Sequence, residues 1–335
     1  MLLRPFQAAS PRLALDLRRE LRHAMLQPEQ NTDFEHATSD AGVDFVYYMF
    51  DWDDNILHMP TKIYLEKKTS GGWIPWEVST AEFSEIRRDG VNYRPMEGDW
   101  DKAFAEFYDV GQRGEEAFYE DTAVALRPVI EQQERGGPSF RRFRKALTEG
   151  RLFAIITARA HSSRSIRRGV EYFIEKILTH GEKCQMVENL RQYNIYFREH
   201  DPEMTDAEVV DKYLGLNRYQ GVTSREFQEA VGANVESGAE SPALAKQLAI
   251  RDFLNHIKAL IRGRGIEAPI SVGFSDDDAH NVHAVRRFIE DELSMEFPDI
   301  RFVLYDTSDP GVPRGRKSVI RGQLELDLDH LPDDA

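Results

Sequence analysis

Cysteine is nearly absent from this chain. Its 335 residues include one, Cys184, which excludes an intramolecular disulfide framework and a cysteine-rich zinc site. Basic residues are outnumbered, 43 Lys and Arg against 58 Asp and Glu, giving a net charge of −15. Nucleic acids and anionic membranes are bound through a positive face, so neither is expected as a partner. A small phosphorylated substrate stays open, because local charge can oppose net charge. Apolar runs are short as well, and none approaches the roughly 18–20 residues of a membrane helix. A reducing, cytoplasmic setting fits these absences. What is present, 30% charged and 41% hydrophobic residues, is ordinary globular composition, enough for one or two domains with a large core.

Residues 1–25 hold five arginines against two acids, Asp16 and Glu20, and Arg4 and Pro5 interrupt the apolar core a secretory signal needs. A transit peptide and a plain N-terminal helix followed by a linker both fit, and the second is the expectation for 1–43. Apolar runs at 44–50, 152–157, 269–274 and 300–306 read as buried strands, with 192–197 as a weaker strand. The segment 62–78 alternates around Ser70-Gly71-Gly72 and reads as a β-hairpin. Helical periodicity marks 122–135, 139–150, 164–181 (closed by Gly181) and 242–263. Strands separated by helices predict a parallel sheet covered by helices on both faces. The segment 198–240 reads as polar and irregular, and the chain after Gly311 as a loosely docked tail.

Ligands of open α/β sheets bind beyond the carboxyl ends of the strands. Asp51-Trp52-Asp53-Asp54-Asn55 follows the first strand, Thr157-Ala158-Arg159 the second, and Ser275-Asp276-Asp277-Asp278 the third. A parallel sheet brings these to one rim. Carboxylates gathered there repel unless a cation sits among them, and hard oxygen ligands at an open rim suit Mg²⁺. An EF-hand is excluded, since Ile56 and Lys62 stand where its loop needs glycine and glutamate. Taken singly, each element has an ordinary alternative: a chance D-x-D, a threonine capping a helix, an acidic helix N-terminus. Arg159 and His161 suit either a substrate or structural contacts.

With these residues in view, the chain resembles the haloacid dehalogenase-like (HAD) superfamily. FDWDDNIL (50–57), AIITAR (154–159), Lys246 in SPALAKQLAI and VGFSDDDAHNV (272–282) are similar to that family's four motifs, in the family's order. The resemblance implies a Rossmann-like three-layer α/β sandwich with a mostly parallel sheet over 44–310. It implies a flap or cap insertion at 58–121, a second insertion at 198–240 before the third-motif helix, and a C-terminal tail at 311–335. It further implies a Mg²⁺-dependent phosphatase. Asp51 matches the nucleophile that forms an aspartyl-phosphate, Asp53 the general acid/base, Thr157 the phosphoryl-binding hydroxyl and Lys246 the charge-offsetting ammonium. The metal ligands are Asp51, Asp53 through its carbonyl, Asp276 and Asp277. Asn55, Ala158 and Arg159 are the implied substrate contacts. Asp54 and Asn55 depart from the glycine and threonine the family often has there. Trp73 and Trp76 fit either a flap over the site or a small core within the insertion. A phosphotransferase, or a binding protein with little turnover, on the same scaffold are the alternatives.

Overall fold

An unbroken apolar and aromatic stretch, Phe45–Phe50, forms the central strand β1 of the computed structural model. The structure describes residues 45–109, 113–196, 202–232, 241–262, 269–312 and 315–321. The N-terminal helix and linker expected over 1–43 lie outside them.

After β1 the chain leaves the main sheet and builds a separate three-stranded antiparallel one. It comprises β2 (Ile63–Thr69), β3 (Gly72–Val78) and β4 (Tyr93–Pro95), in the order β3-β2-β4. The turn sits at the expected place, and Gly72 adopts φ 116°, a conformation that glycine enters without steric cost. Helices α1 (Thr80–Ile86) and α2 (Trp100–Ala103) complete this segment. Its small core is Ile63, Leu65, Val78, Ala103 and Phe107. The two hairpin tryptophans stay outside it. Trp76 is 41% exposed beneath the Lys67 ammonium, and Trp73 carries the Arg94 guanidinium over its ring.

The main body resumes with α3 (Ala117–Ile130), α4 (Phe140–Thr148), β5 (Phe153–Thr157), α5 (Ser163–Ile177), α6 (His180–Tyr196), α7 (Asp206–Leu216) and β6 (Arg218–Gly221). It ends with α8 (Arg225–Val231), α9 (Ser241–Arg262), β7 (Ile270–Asp276), α10 (Ala279–Phe288), α11 (Ser294–Glu296), β8 (Ile300–Asp306) and β9 (Arg316–Arg321). The sheet order is β6-β5-β1-β7-β8-β9. The first five strands are parallel, and β9 runs antiparallel to β8. Alternate side chains leave opposite faces of a strand, so β1 feeds two cores. Tyr47 and Met49 pack with Ala249, Phe253 and Val282 on one face, and Tyr48 and Phe50 with Phe143, Ile166 and Phe173 on the other. The result is the expected α/β sandwich with a mostly parallel sheet. Among the described residues no helix is long and apolar enough to cross a membrane.

Four expectations are corrected. Residues 192–196 continue α6 rather than forming a strand. Their β-branched and aromatic content is overridden by a helix capped through Thr179 and Glu182, since propensity yields to context. Gly181 lies in the first turn of α6 rather than closing α5, which ends at an extended Leu178. The segment 198–240 is not simply an insertion, because it supplies edge strand β6, paired in parallel with β5. Of the tail after Gly311, Arg316–Arg321 docks as β9, whose charged residues suit an edge.

Glu182 yields a pH-dependent prediction. It accepts from the Thr179 backbone N–H at 2.8 Å and from Arg144 through both carboxylate oxygens, at 2.8 and 2.7 Å. Burial pushes its carboxyl up, but these bonds outweigh it and bring it down to about 2 from an ordinary 4.5. A depressed carboxyl stabilises the fold above its unfolded value and loses that contribution as pH falls. Glu182→Gln is therefore expected to cost about 1 kcal/mol at pH 7, discounted for partial exposure. In urea titrations the difference from the parent should shrink below pH 4.5 and vanish near pH 2. An equal penalty at pH 7 and pH 2.5 would contradict the assignment.

Candidate metal centre and carboxylate site

Strand register sets the site. Phe50 lies opposite Ile155 on one neighbour and Ser275 on the other. The residues just beyond, Asp51, Thr157 and Asp276, therefore leave the sheet at one edge. Trp52 turns the opposite way into the core against Phe118 and Phe143, which leaves Asp51 and Asp53 on the same side.

Asp51, Asp276 and Asp277 offer oxygen atoms that all lie within 4.8 Å of one another, a group that could hold a metal ion. Lys246 comes in from the first turns of α9, whose Ala245, Ala249, Phe253 and Ile257 fix the helix on the sheet. Its ammonium lies 2.6 Å from Asp276 Oδ2 and 3.2 Å from Asp51 Oδ2. Among the described residues Asp51 Oδ1 is buried with no hydrogen-bond partner. Asp276 Oδ1 accepts from the Asp278 N–H at 2.9 Å, which fixes its carboxylate. Burial, and then the neighbouring Asp276 and Asp53, push the Asp51 carboxyl well above the usual range despite the pull of Lys246. Burial and the charges of Asp51 and Asp276 do the same to Asp277. Lys246 is raised: burial would lower it, but Asp276 and Asp51 outweigh burial and keep it protonated. Ionising all three carboxyls against one ammonium would leave two negative charges uncompensated in a desolvated place, and the upward shifts of Asp51 and Asp277 express that cost. That is the donor set and the charge deficit a hard divalent cation fits.

Asp53 belongs to a second cluster. The Arg159 Nε–H lies 3.1 and 2.9 Å from its two carboxylate oxygens, Arg159 Nη2 donates to Oδ1 at 2.6 Å, and the Thr157 hydroxyl donates to Oδ2 at 3.1 Å. Burial raises its carboxyl, but Arg159 and Thr157 overcome this and hold it below the ordinary value. Its side chain is not part of the three-carboxylate group.

Two expected substrate contacts brace the site through bonds within the protein. Asn55 is 0% exposed. Its Nδ2 donates to the carbonyls of Asp51 at 3.1 Å and Ser275 at 3.0 Å, and its Oδ1 receives the hydroxyls of Ser275 and Thr307 at 3.1 and 3.0 Å. Every polar position of that amide is used in tying together the ends of β1, β7 and β8. Arg159, also 0% exposed, grips Asp53 through Nε and Nη2, while its Nη1 is buried with no hydrogen-bond partner among the described residues. Ala158 is exposed on the rim. His161 is buried; burial and then Arg159 push it down to about 4, so its neutral ring places Nδ1 2.7 Å from the Phe107 carbonyl. Asp54 has φ 54°, a left-handed conformation that aspartate tolerates better than most residues. Lys176 and Lys183 bond to Glu175 away from the site, so Lys246 is the lysine delivered to it.

Thr61, Asp121, Arg87 and Thr307 also contribute to the site without any mark in the sequence. Thr61 and Asp121 support Arg159, and Arg87 pairs with Asp278 at 2.7 Å across the rim. No local pattern marks any of them, because each acts through a partner remote in sequence.

Asn55→Ala should destabilise the protein by about 2–3 kcal/mol, since buried partners on three strands lose bonds. Chemical denaturation measures this, and a loss under 0.5 kcal/mol would remove Asn55 from its bracing role.

No family model, no curated protein and no solved structure matches this chain.

Proposed function

We propose that this protein is a Mg²⁺-dependent phosphomonoester hydrolase of the HAD-like type. One observation carries the reading: the carboxylates of Asp51, Asp276 and Asp277 gather around Lys246 at the carboxyl edge of a parallel sheet, with Asp51 Oδ1 unpartnered. Asp51, Asp276 and Asp277 would hold the ion. Bound there, Mg²⁺ supplies charge neutralisation and a template for phosphoryl oxygens.

The residues then divide the work. Asp51 attacks phosphorus, forming an aspartyl-phosphate as the ester oxygen leaves. Asp53 gives that oxygen a proton, then takes one from the water that attacks phosphorus and frees Asp51. Thr157 and Lys246 hold phosphoryl oxygens and offset their charge. Ala158 lies on the rim beside the incoming group. The segment 58–121 serves as a flap, fastened by Thr80 to Asp54 at 2.5 Å and by Arg87 to Asp278. A closed flap excludes water other than the attacking molecule. The substrate is a small phosphorylated compound. A phosphotransferase would differ only in what accepts the phosphoryl group from Asp51.

A second reading, a binding protein with little turnover, is favoured by the Arg159 grip on Asp53. A carboxylate held below its ordinary value is suited to base chemistry and must gain a proton before it can act as an acid.

Turnover of a generic aryl phosphate separates the two. Hydrolysis should require Mg²⁺, stop with EDTA and fall about a thousandfold or more in Asp51→Asn. Hydrolysis that survives Asp51→Asn would remove the nucleophile assignment. No Mg²⁺-dependent turnover on a broad phosphoester panel would favour the binding protein.

A further inference from the structure

Asp53 is tied, through Arg159, to the neck of the segment that follows β1. Arg159 Nη2, besides meeting Asp53, donates to Thr61 Oγ1 at 2.6 Å, and the Thr61 hydroxyl donates to Asp121 Oδ2 at 2.9 Å. Arg113 closes the chain on the other oxygen of Asp121. Asp53, Thr61, Asp121 and Arg159 are all buried. Thr61 stands just before β2 and Asp121 within α3, so their bond joins residues 60 apart where the segment leaves and rejoins the main body.

Packing alone does not fix Arg159. Its guanidinium carbon lies 4.7 Å from the Phe107 ring centroid and 5.6 Å from that of Phe118. Aromatic faces attract a guanidinium but set its in-plane rotation only weakly. The planar fork is directional, and a hydrogen bond to one nitrogen selects the rotation. Beyond the bonds to Asp53 itself, Thr61 supplies such a bond, and Asp121 leaves Thr61 one role, because its single hydroxyl proton is committed to the carboxylate and its lone pairs face Arg159. Charges alternate along the chain, Asp53, Arg159, Asp121, Arg113, so each buried ion has an opposite neighbour.

We propose that Thr61 and Asp121 are positioning residues: they set the rotation of Arg159 and thereby the orientation of the Asp53 carboxylate, linking the neck of the 62–120 segment to the group that exchanges protons in catalysis. The catalytic half of this inference rests on the phosphatase reading above; the geometric half does not.

Thr61→Val keeps the shape and removes the hydroxyl. It should lower kcat at least about tenfold while KM stays within about threefold, as misplacement of a reacting group does. Thr61→Ser should restore kcat to within about twofold of the parent. A purely structural role predicts parental kcat once the folded fraction is counted. In parallel, the Arg159 side-chain N–H resonances, identified by their loss in Arg159→Lys, should exchange slowly in the parent and Thr61→Ser and at least about tenfold faster in Thr61→Val. If Thr61→Val does not fold, Asp121→Asn is read by the same two measurements. Parental kcat in the folded variant overturns the positioning role, and unchanged Arg159 exchange overturns its geometric basis. If the parent itself shows no Mg²⁺-dependent turnover, the phosphatase reading fails separately and the exchange measurement alone decides whether Thr61 fixes Arg159.

Discussion

A buried ammonium facing more carboxylates than it can neutralise is the constraint around which this structure is arranged. Lys246 bridges Asp51 and Asp276, and Asp277 adds a further acid within reach of both. Desolvated like charges are tolerated only with compensation. The fold forces them together through register, because parallel pairing of β1 with β7 sets Asp51 and Asp276 at the same edge. Asn55 locks that edge by spending its whole amide on β1, β7 and the residue after β8. The sandwich thus stabilises an arrangement that its electrostatics oppose, and such opposition is characteristic of functional sites.

The two carboxylates of the D-x-D stretch live in opposite environments. Asp51 is raised by burial and acidic neighbours, and Asp53 is held low by a guanidinium and a hydroxyl. Such divergence between adjacent titratable groups is how one site supports two chemical roles. Here it gives Asp51 a free oxygen and leaves Asp53 restrained. The restraint runs through Arg159 into the neck of the following segment, so the freedom of Asp53 depends on residues that never approach the candidate metal position.

Much of this was legible in the sequence, for identifiable reasons. Four buried strands announced themselves as short apolar runs, and the acidic and hydroxyl residues that follow three of them fall on the shared rim. Edge strands β6 and β9 were not legible, because four residues of RYQG and the charged RKSVIR carry no apolar run; pairing alone makes them strands. The site split the same way. Asp51, Asp276 and Asp277 converge as their places after parallel strands suggested, and Lys246 joins them where the resemblance implied. Asn55 and Arg159 sit where expected, and both make hydrogen bonds within the protein. Those bonds reach residues remote in sequence, which local spacing does not display. Thr61 and Asp121 had no signal at all, since a lone threonine gains meaning only from the guanidinium beside it.

The most direct test of the central claim is a crystal structure of the protein grown with Mg²⁺. One ion coordinated by Asp51 and by Asp276 or Asp277, at about 2.1 Å, is the predicted result. Density showing these carboxylates free of any ion at saturating Mg²⁺, with Lys246 alone between Asp51 and Asp276, would contradict it.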